Sequence, residues 1–374
     1  MAEAQKDAPL KGIKVLELAR ILAGPWAGQL LADLGADVIK VEAPEGDDTR
    51  RWGPPFIDGT AAYFHAANRG KRSMIADFRS EEDLARVREL AAEADVVIEN
   101  FKLGGLKKFG LDYESLAALN PRLIYCSITG FGQTGPYAAR AGYDFLVQGM
   151  GGIMSLTGDP TGEPQKIGVA FADIFTGLYA VIGIEAALMQ RARTGQGQQI
   201  DMALLDCMTG VLANQAMNYF ASGIAPTRLG NAHPNIVPYQ VFAVADGHII
   251  LAVGNDRQFA RCSARLGLTL HEEERFATNA ARVENRDALT PLLARAFAEW
   301  TKSDILKAME EEGVPAGPIN TVDEVFADPQ VQARGMEIEA DGVRGVRSPL
   351  VFSAADLDLR DGAPTLGSHK GGWR

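Results

Sequence analysis

Residues 13–42 read IKVLELARILAGPWAGQLLADLGADVIKVE. The first six and the last six are largely apolar runs, and between them GPWAGQLLADLGA carries apolar residues at helical spacing and stops at Gly35. Strand, helix and strand in about 30 residues make a βαβ unit, and a helix that carries the chain back makes the two strands parallel.

The same order recurs. IADF at 75–78 predicts a strand, 80–94 a helix and VVIENF at 96–101 a strand; a short helix then precedes LIYCSITGFG at 123–132. This alternation predicts an α/β fold with a mostly parallel, doubly wound sheet and helices on both faces. Residues 170–191, AFADIFTGLYAVIGIEAALMQR, predict a long buried helix, followed by the Gly-rich turn TGQGQ, the strand QIDMAL and a helix near 204–221. The next stretch, TRLGNAHPNIVPYQ, is dense in Gly, Asn and Pro, which marks a boundary or a structured loop. After it comes a hairpin, YQVFAVADGHIILAV, turning at Asp246 and Gly247, then helices at about 256–266, 284–299 and 302–312. A helix over 323–336 and short tail strands complete the chain. Two domains are predicted: a large one over 1–220, to which the tail 326–374 returns, and a small α+β domain over 225–325.

Composition narrows the function. A chain of 374 residues with 47% hydrophobic content can bury two cores. A formal charge of -11 argues against nucleic acid as a partner, because displacing counterions needs a basic face. The start, MAEAQKDAPLKG, lacks the apolar segment of a secretory signal, and no run of about 18 apolar residues reads as a membrane span. Cys126, Cys207 and Cys262 are too scattered for a disulfide framework or a metal cluster. A cytoplasmic protein with no membrane partner is expected.

Several chemistries lose their support at the motif level. Glu42 closes the second strand where a dinucleotide's ribose would be held, but the preceding turn, LARILAGPWAG, lacks G-x-G-x-x-G. Gly24 and Gly28 are equally read as letting helix and strand pack. His65, His233, His248, His271 and His369 form no metal-binding spacing, and no G-x-S-x-G elbow occurs. Carboxylates remain. Asp173 stands out in GVAFADIFTGLYA as a charge among small apolar residues, and such acids are paired or functional because desolvating them is costly. It is read either as the cap of the helix that follows or as a nucleophile held at a helix N-terminus.

At these residues a resemblance becomes specific. LKGIKVLELARILAGPWAGQLLADLGADVIKVEAP, NRGKRS, ADVVIENFKLGGLKKFGLDY, ADIFTG, RTGQGQ and GVPAGPI, in that order along nearly the whole chain, resemble the CaiB/BaiF, or class III, CoA-transferases, including formyl-CoA transferase-like members. The resemblance implies a Rossmann-like large domain, an interlocked homodimer and catalysis by Asp173 through an aspartyl anhydride and an aspartyl-CoA thioester. It implies no permanently bound cofactor; coenzyme A and acyl-CoA are substrates, with an organic acid as acceptor. Positions matching the family's CoA contacts are Arg20, Leu22, Arg79, Asn100, Phe101, Lys102, Lys108 and Tyr143, and Arg72 is a further phosphate candidate. Lys102, Lys107 and Lys108 also suit a plain solvated face.

Where relatives carry a glycine-rich active-site loop, this chain has GNAHPNIVPYQVF, so His233, Asn235 and Tyr239 are read as lining the acceptor side, with Arg228 as a partner for a dicarboxylate such as succinate. A loop simply packed by its prolines is the competing reading. The same blocks resemble α-methylacyl-CoA racemases, which carry a histidine where this chain has Tyr143 in AGYD. A phenol of pKa about 10 is a poor base near neutrality, which favours the transferase. A CoA-binding protein without catalysis is the reading from another class, and the presence of Asp173 argues against it.

Overall fold

The computed structural model describes residues 6–374. Six strands, β1 (Lys14–Glu17), β2 (Asp37–Glu42), β3 (Arg72–Ile75), β4 (Val96–Glu99), β5 (Ile124–Thr129) and β6 (Gln198–Ala203), form one all-parallel sheet. Their order is β3-β2-β1-β4-β5-β6. The order reverses between β1 and β4, and in such sheets the crevice at the carboxyl ends of those strands is where ligands bind.

Around the sheet stand α1 (Ala23–Asp33), α2 (Glu81–Glu93), α3 (Tyr113–Leu119), α4 (Asp144–Met150), α5 (Phe171–Thr194), α6 (Leu204–Gly210) and α7 (Ala213–Ser222). Strand periodicity assigns the layers. Val15, Val96, Ile124 and Cys126 face α1 and α5, while Leu16, Val97, Leu123 and Tyr125 face α2, where Leu84, Val87 and Leu90 meet them. Ser80 accepts from the Asp83 amide and Asp112 from that of Ser115, capping α2 and α3. The helices α1 and α5 touch through small residues: a Cβ on Gly177 would lie 2.8 Å from the Ala23 carbonyl oxygen.

Among the described residues, one compact unit comprises residues 6–153, Lys166–Ser222 and Pro329–Arg374; the other comprises Met154–Gln165 and Gly223–Asp328. The second unit holds an antiparallel sheet of β7 (Tyr239–Val244), β8 (Gly247–Ala252) and β9 (Ala316–Pro318), with α8 (Asp256–Arg265), α9 (Arg286–Ala298) and α10 (Lys302–Glu311). Phe242, Phe259, Phe276 and Phe297 fill its core. In the first unit the tail forms the hairpin β10 (Glu337–Ala340) and β11 (Val343–Val346), then runs beside β3, where the His369 amide donates to the Ser73 carbonyl at 2.9 Å.

Five expectations need correction. The strand expected at 75–78 lies at Arg72–Ile75, drawn there by Arg72 and Ser73 side chains that bind Asp37 and Glu42. The helix expected near 204–221 breaks at Ala213, whose φ is 45°. The helix expected over 323–336 is two short ones, Val322–Ala327 and Pro329–Ala333, because Pro329 holds Asp328 extended. Finally, α5 is not buried all round. Its Ala172, Thr176, Ala180 and Ile184 face is buried, whereas Leu178, Ile182 and Met189 are exposed. By length and composition it is also apolar enough to cross a membrane, contrary to the expectation of no such run.

Candidate active site

The loop after β1, Leu18–Leu22, and the loop after β4, beginning at Asn100, meet in the crevice. Asn100 ties them together: its Oδ1 accepts from the Arg20 amide at 3.0 Å and its Nδ2 donates to the Arg20 carbonyl at 2.7 Å. Between these loops and the N-terminal turn of α5 lies a cavity of about 450 Å³, lined among others by Arg20, Leu22, Asn100, Phe101, Lys108 and Asp173. Lys102 and Tyr143 line it as well. A neighbouring cavity of about 440 Å³ shares Arg20 and Phe101 and takes in Phe78 and Arg79. Eight of the nine residues expected to contact CoA, together with Asp173, thus line these two adjoining cavities.

Arg72 is the exception. Its guanidinium is held by both Asp37 oxygens and by the Gly372 carbonyl oxygen, at the outer strand β3 and outside either lining. Arg79 is exposed and donates to the Asp77 carboxylate, so an anion would have to compete for it. Lys108 is exposed, with its ammonium 4.7 Å from the centre of the Phe109 ring. The Lys107 ammonium lies 3.5 Å from Glu114, on the solvated side.

Arg228, His233, Asn235 and Tyr239 belong to the second unit. Arg228 donates to the Asp159 and Gly162 carbonyl oxygens, His233 Nδ1 accepts from the Asn235 amide at 3.0 Å, and the His233 and Tyr239 rings lie 5.2 Å apart. Arg286 and Asn279 hold this loop from below, through the His233, Pro234 and Asn235 carbonyl oxygens.

Asp173 sits in the first turn of α5 but does not cap it. The position before the helix is Ala170, and the work of a cap falls to a different element: Asp144, at the start of α4, accepts from the Ala172 amide at 2.8 Å and from the Asp173 amide at 3.4 Å. With those amides taken, the Asp173 carboxylate accepts no hydrogen bond among the described residues. Burial and then the nearby Asp144 charge raise its pKa to about 7. The Tyr63 hydroxyl is pushed up to about 12 by burial first and then by the Asp173 charge, so it stays protonated at neutral pH. Asp144 and Tyr63 escaped the sequence reading. AGYD does carry a signal for Asp144, an acid directly after Tyr143; Tyr63 in AAYFHAANRG carries none.

Glu42, the would-be ribose acid, is spent elsewhere. It receives Arg50 through two bonds at 2.8 and 2.7 Å and the Ser73 hydroxyl at 2.6 Å, all buried. Gly28 serves packing: a Cβ there would lie 1.9 Å from Glu17 Oε2. No group of three or more metal-ligating side chains occurs among the described residues.

An all-parallel sheet with a crevice at its switch point and an unpaired acid in that crevice defines a CoA-handling transferase fold once set beside known proteins. The chain belongs to CoA-transferase family III, whose profile matches residues 10–370. It is 58% identical to the succinate–glutarate CoA-transferase of Agrobacterium fabrum, over 98% of this chain and 94% of that protein. It is 43% identical to the human succinyl-CoA:glutarate CoA-transferase, over 96% of this chain and 84% of that one. Among solved structures, a CAIB/BAIF family protein from Brucella suis matches with a TM-score of 0.89 and 68% identity, covering 97% of this chain and 98% of that one. The protein is therefore an enzyme of this transferase class, with CoA thioesters as its substrates.

Proposed function

We propose that the enzyme moves CoA from succinyl-CoA to a dicarboxylic acid of glutarate's size, with Asp173 as the nucleophile. The observation that carries this reading is an unpaired carboxylate with a pKa near 7, at the foot of a cavity lined by the residues matching the family's CoA contacts. The names of the two relatives above supply the acid class.

An Asp173 oxygen attacks the thioester carbonyl carbon; the C–S bond breaks and CoA leaves as thiolate, giving a mixed anhydride. The thiolate attacks the aspartyl carbonyl, expelling succinate and leaving an aspartyl-CoA thioester. The acceptor carboxylate attacks that thioester to form a second anhydride and release thiolate. Attack of the thiolate on the acceptor's acyl carbon then frees Asp173 and yields the new acyl-CoA. Over the whole cycle one CoA thioester is consumed and one is formed, so the exchange is close to balanced and needs no ATP. Lys102, Lys108 and, after release from Asp48 and Asp77, Arg20 and Arg79 meet the phosphates of CoA, while Phe101 and Tyr143 supply apolar contact. His233, Asn235, Tyr239 and Arg228 serve the acceptor.

The exposed apolar side chains of α5 and α7, Leu178, Ile182, Met189, Met217 and Phe220, support a homodimer, because surfaces of this kind mark association. The three free, buried cysteines fit a reducing cytoplasm.

Succinyl-CoA with glutarate should yield glutaryl-CoA by mass spectrometry, and hydroxylamine should trap an adduct on the peptide containing Asp173. Exchange of an α-proton of a 2-methylacyl-CoA without acceptor, with Asp173 left unmodified, would instead establish the racemase reading.

A further inference from the structure

Beneath the cavity wall formed by Arg20, Ile21 and Leu22 lies a group of charges without solvent contact. Lys40 Nζ lies 2.9 Å from Glu17 and 3.0 Å from Asp47, and Lys71 Nζ lies 2.8 Å from Glu17, all four side chains being 0% exposed. Lys40 also donates to the Ala19 carbonyl oxygen at 2.8 Å, and Lys71 to that of Pro25 at 2.8 Å and to Asn68 Oδ1 at 2.9 Å. The Asp47 carboxylate accepts from the Thr49 amide and hydroxyl. Its remaining acceptor capacity goes to one backbone group of the cavity wall: the Ile21 amide donates to it at 3.2 and 3.3 Å.

Ile21 needs this support. Its φ is 71°, a left-handed conformation that is rare for a β-branched side chain and persists only where the surroundings impose it. On one side Asn100 fixes the Arg20 peptide in both directions; on the other Asp47 fixes the Ile21 amide. Stability alone is a poor reason for so many buried charges, because pairing only roughly offsets their desolvation. A rigid turn at the reacting end of a ligand cavity is a better one, since small displacements there cost rate steeply.

We propose that Asp47 and Lys40 are positioning residues. Asp47, held by Lys40 and Thr49, keeps Ile21 left-handed, so that the wall sharing the cavity with Asp173 has one shape while the acyl-CoA thioester is attacked. The inference rests on Asp173 as nucleophile, and its test separates the two claims.

The test is a pair of variants, Asp47→Asn and Ile21→Gly, alone and combined, with the trapped adduct used to count active enzyme. Glycine accepts a φ of 71° without strain, so a turn with Gly at 21 no longer depends on being held. With Ile at 21, Asp47→Asn should slow single-turnover acylation by saturating succinyl-CoA at least tenfold, while KM changes less than threefold. In the Ile21→Gly background the same substitution should slow acylation no more than threefold. An equal loss in both backgrounds, or wild-type acylation in Asp47→Asn, overturns the proposal. If Asp47→Asn does not fold, Thr49→Val removes a donor to Asp47 and leaves every buried charge paired; slowing of threefold or more, again suppressed by Gly at 21, supports the proposal, and unchanged or unsuppressed acylation overturns it. Absence of any adduct in the wild-type enzyme would instead sink the role of Asp173.

Discussion

Two aspartates of the first unit, Asp173 lining the first cavity and Asp47 beneath the wall it shares with the second, are treated in opposite ways. Asp47 has a lysine, a hydroxyl and two backbone amides, and although burial pushes its pKa up, Lys40 and those hydrogen bonds hold it below the ordinary carboxylate range. Asp173 has burial and a second acid beside it, and its pKa rises to about 7. The lesson is one of partners more than of depth. A fully bonded carboxylate is a structural anion with no lone pair to spare, and an unbonded one keeps its electron pairs for attack.

The largest effect should come from the unpaired member. Asp173→Asn keeps shape and volume but removes the proposed nucleophile, and turnover of succinyl-CoA with glutarate should fall by at least about 10⁴-fold, the order seen when a covalent nucleophile is deleted. The trapped adduct should vanish with it. Residual turnover within tenfold of wild type would mean that another group takes the acyl.

Next comes the paired member's support. Lys40→Met leaves Glu17 paired with Lys71 but takes away the cation paired with the buried Asp47 carboxylate, and breaking a buried pair in this way costs about 3–5 kcal/mol. A lowered urea midpoint for the unit containing the parallel sheet is the expected reading; a midpoint within error of wild type would show that the cluster does not depend on its lysine. A smaller change is expected at the rim. Lys108→Glu should weaken CoA about tenfold to a hundredfold, as loss of a charge-assisted contact does, with the fold intact by circular dichroism. Unchanged affinity would return Lys108 to the solvated face.

The contrast between the two aspartates also explains what could be read in the sequence. The βαβ pattern of residues 13–42 is legible because strand and helix periods are local, and so is the lack of a partner for Asp173, because a charge in AFADIFTG has none nearby in the sequence. The cluster of Glu17, Lys40, Asp47 and Lys71 is not. Each of these residues reads as an ordinary strand or loop charge, and only the parallel pairing of β1 with β2 and the position of α1 over Glu17 bring them together. Asp144 and Asp173 are likewise 29 residues apart, and the hydrogen bond from α5 back to α4 has no sequence spacing to announce it. The exposed face of α5 was misread for the opposite reason. A helix apolar on every side reads as buried on every side, whether or not a single chain covers it.

The finest test of the contrast is to relax Asp173 without touching it. Asp144→Asn keeps an oxygen for the Ala172 amide but removes the neighbouring negative charge, the second cause of the raised Asp173 pKa after burial. The shift should therefore shrink but not disappear, since burial, its larger cause, remains. In wild type the acid limb of kcat/KM for succinyl-CoA should fall near pH 7, since only ionised Asp173 attacks; in the variant it should move to lower pH. Stability should follow with the sign fixed by linkage. A carboxyl whose folded pKa is raised contributes stability below its ordinary value near 4, and loses it as pH climbs through about 7. Ionised Asp173 is thus a burden above pH 7, and removing Asp144 should lessen it, so that the loss of urea stability between pH 5 and 8 is smaller in Asp144→Asn than in wild type. An acid limb that stays where it was would mean that Asp144 serves α5 only as a cap, and that burial alone sets the reactivity of Asp173.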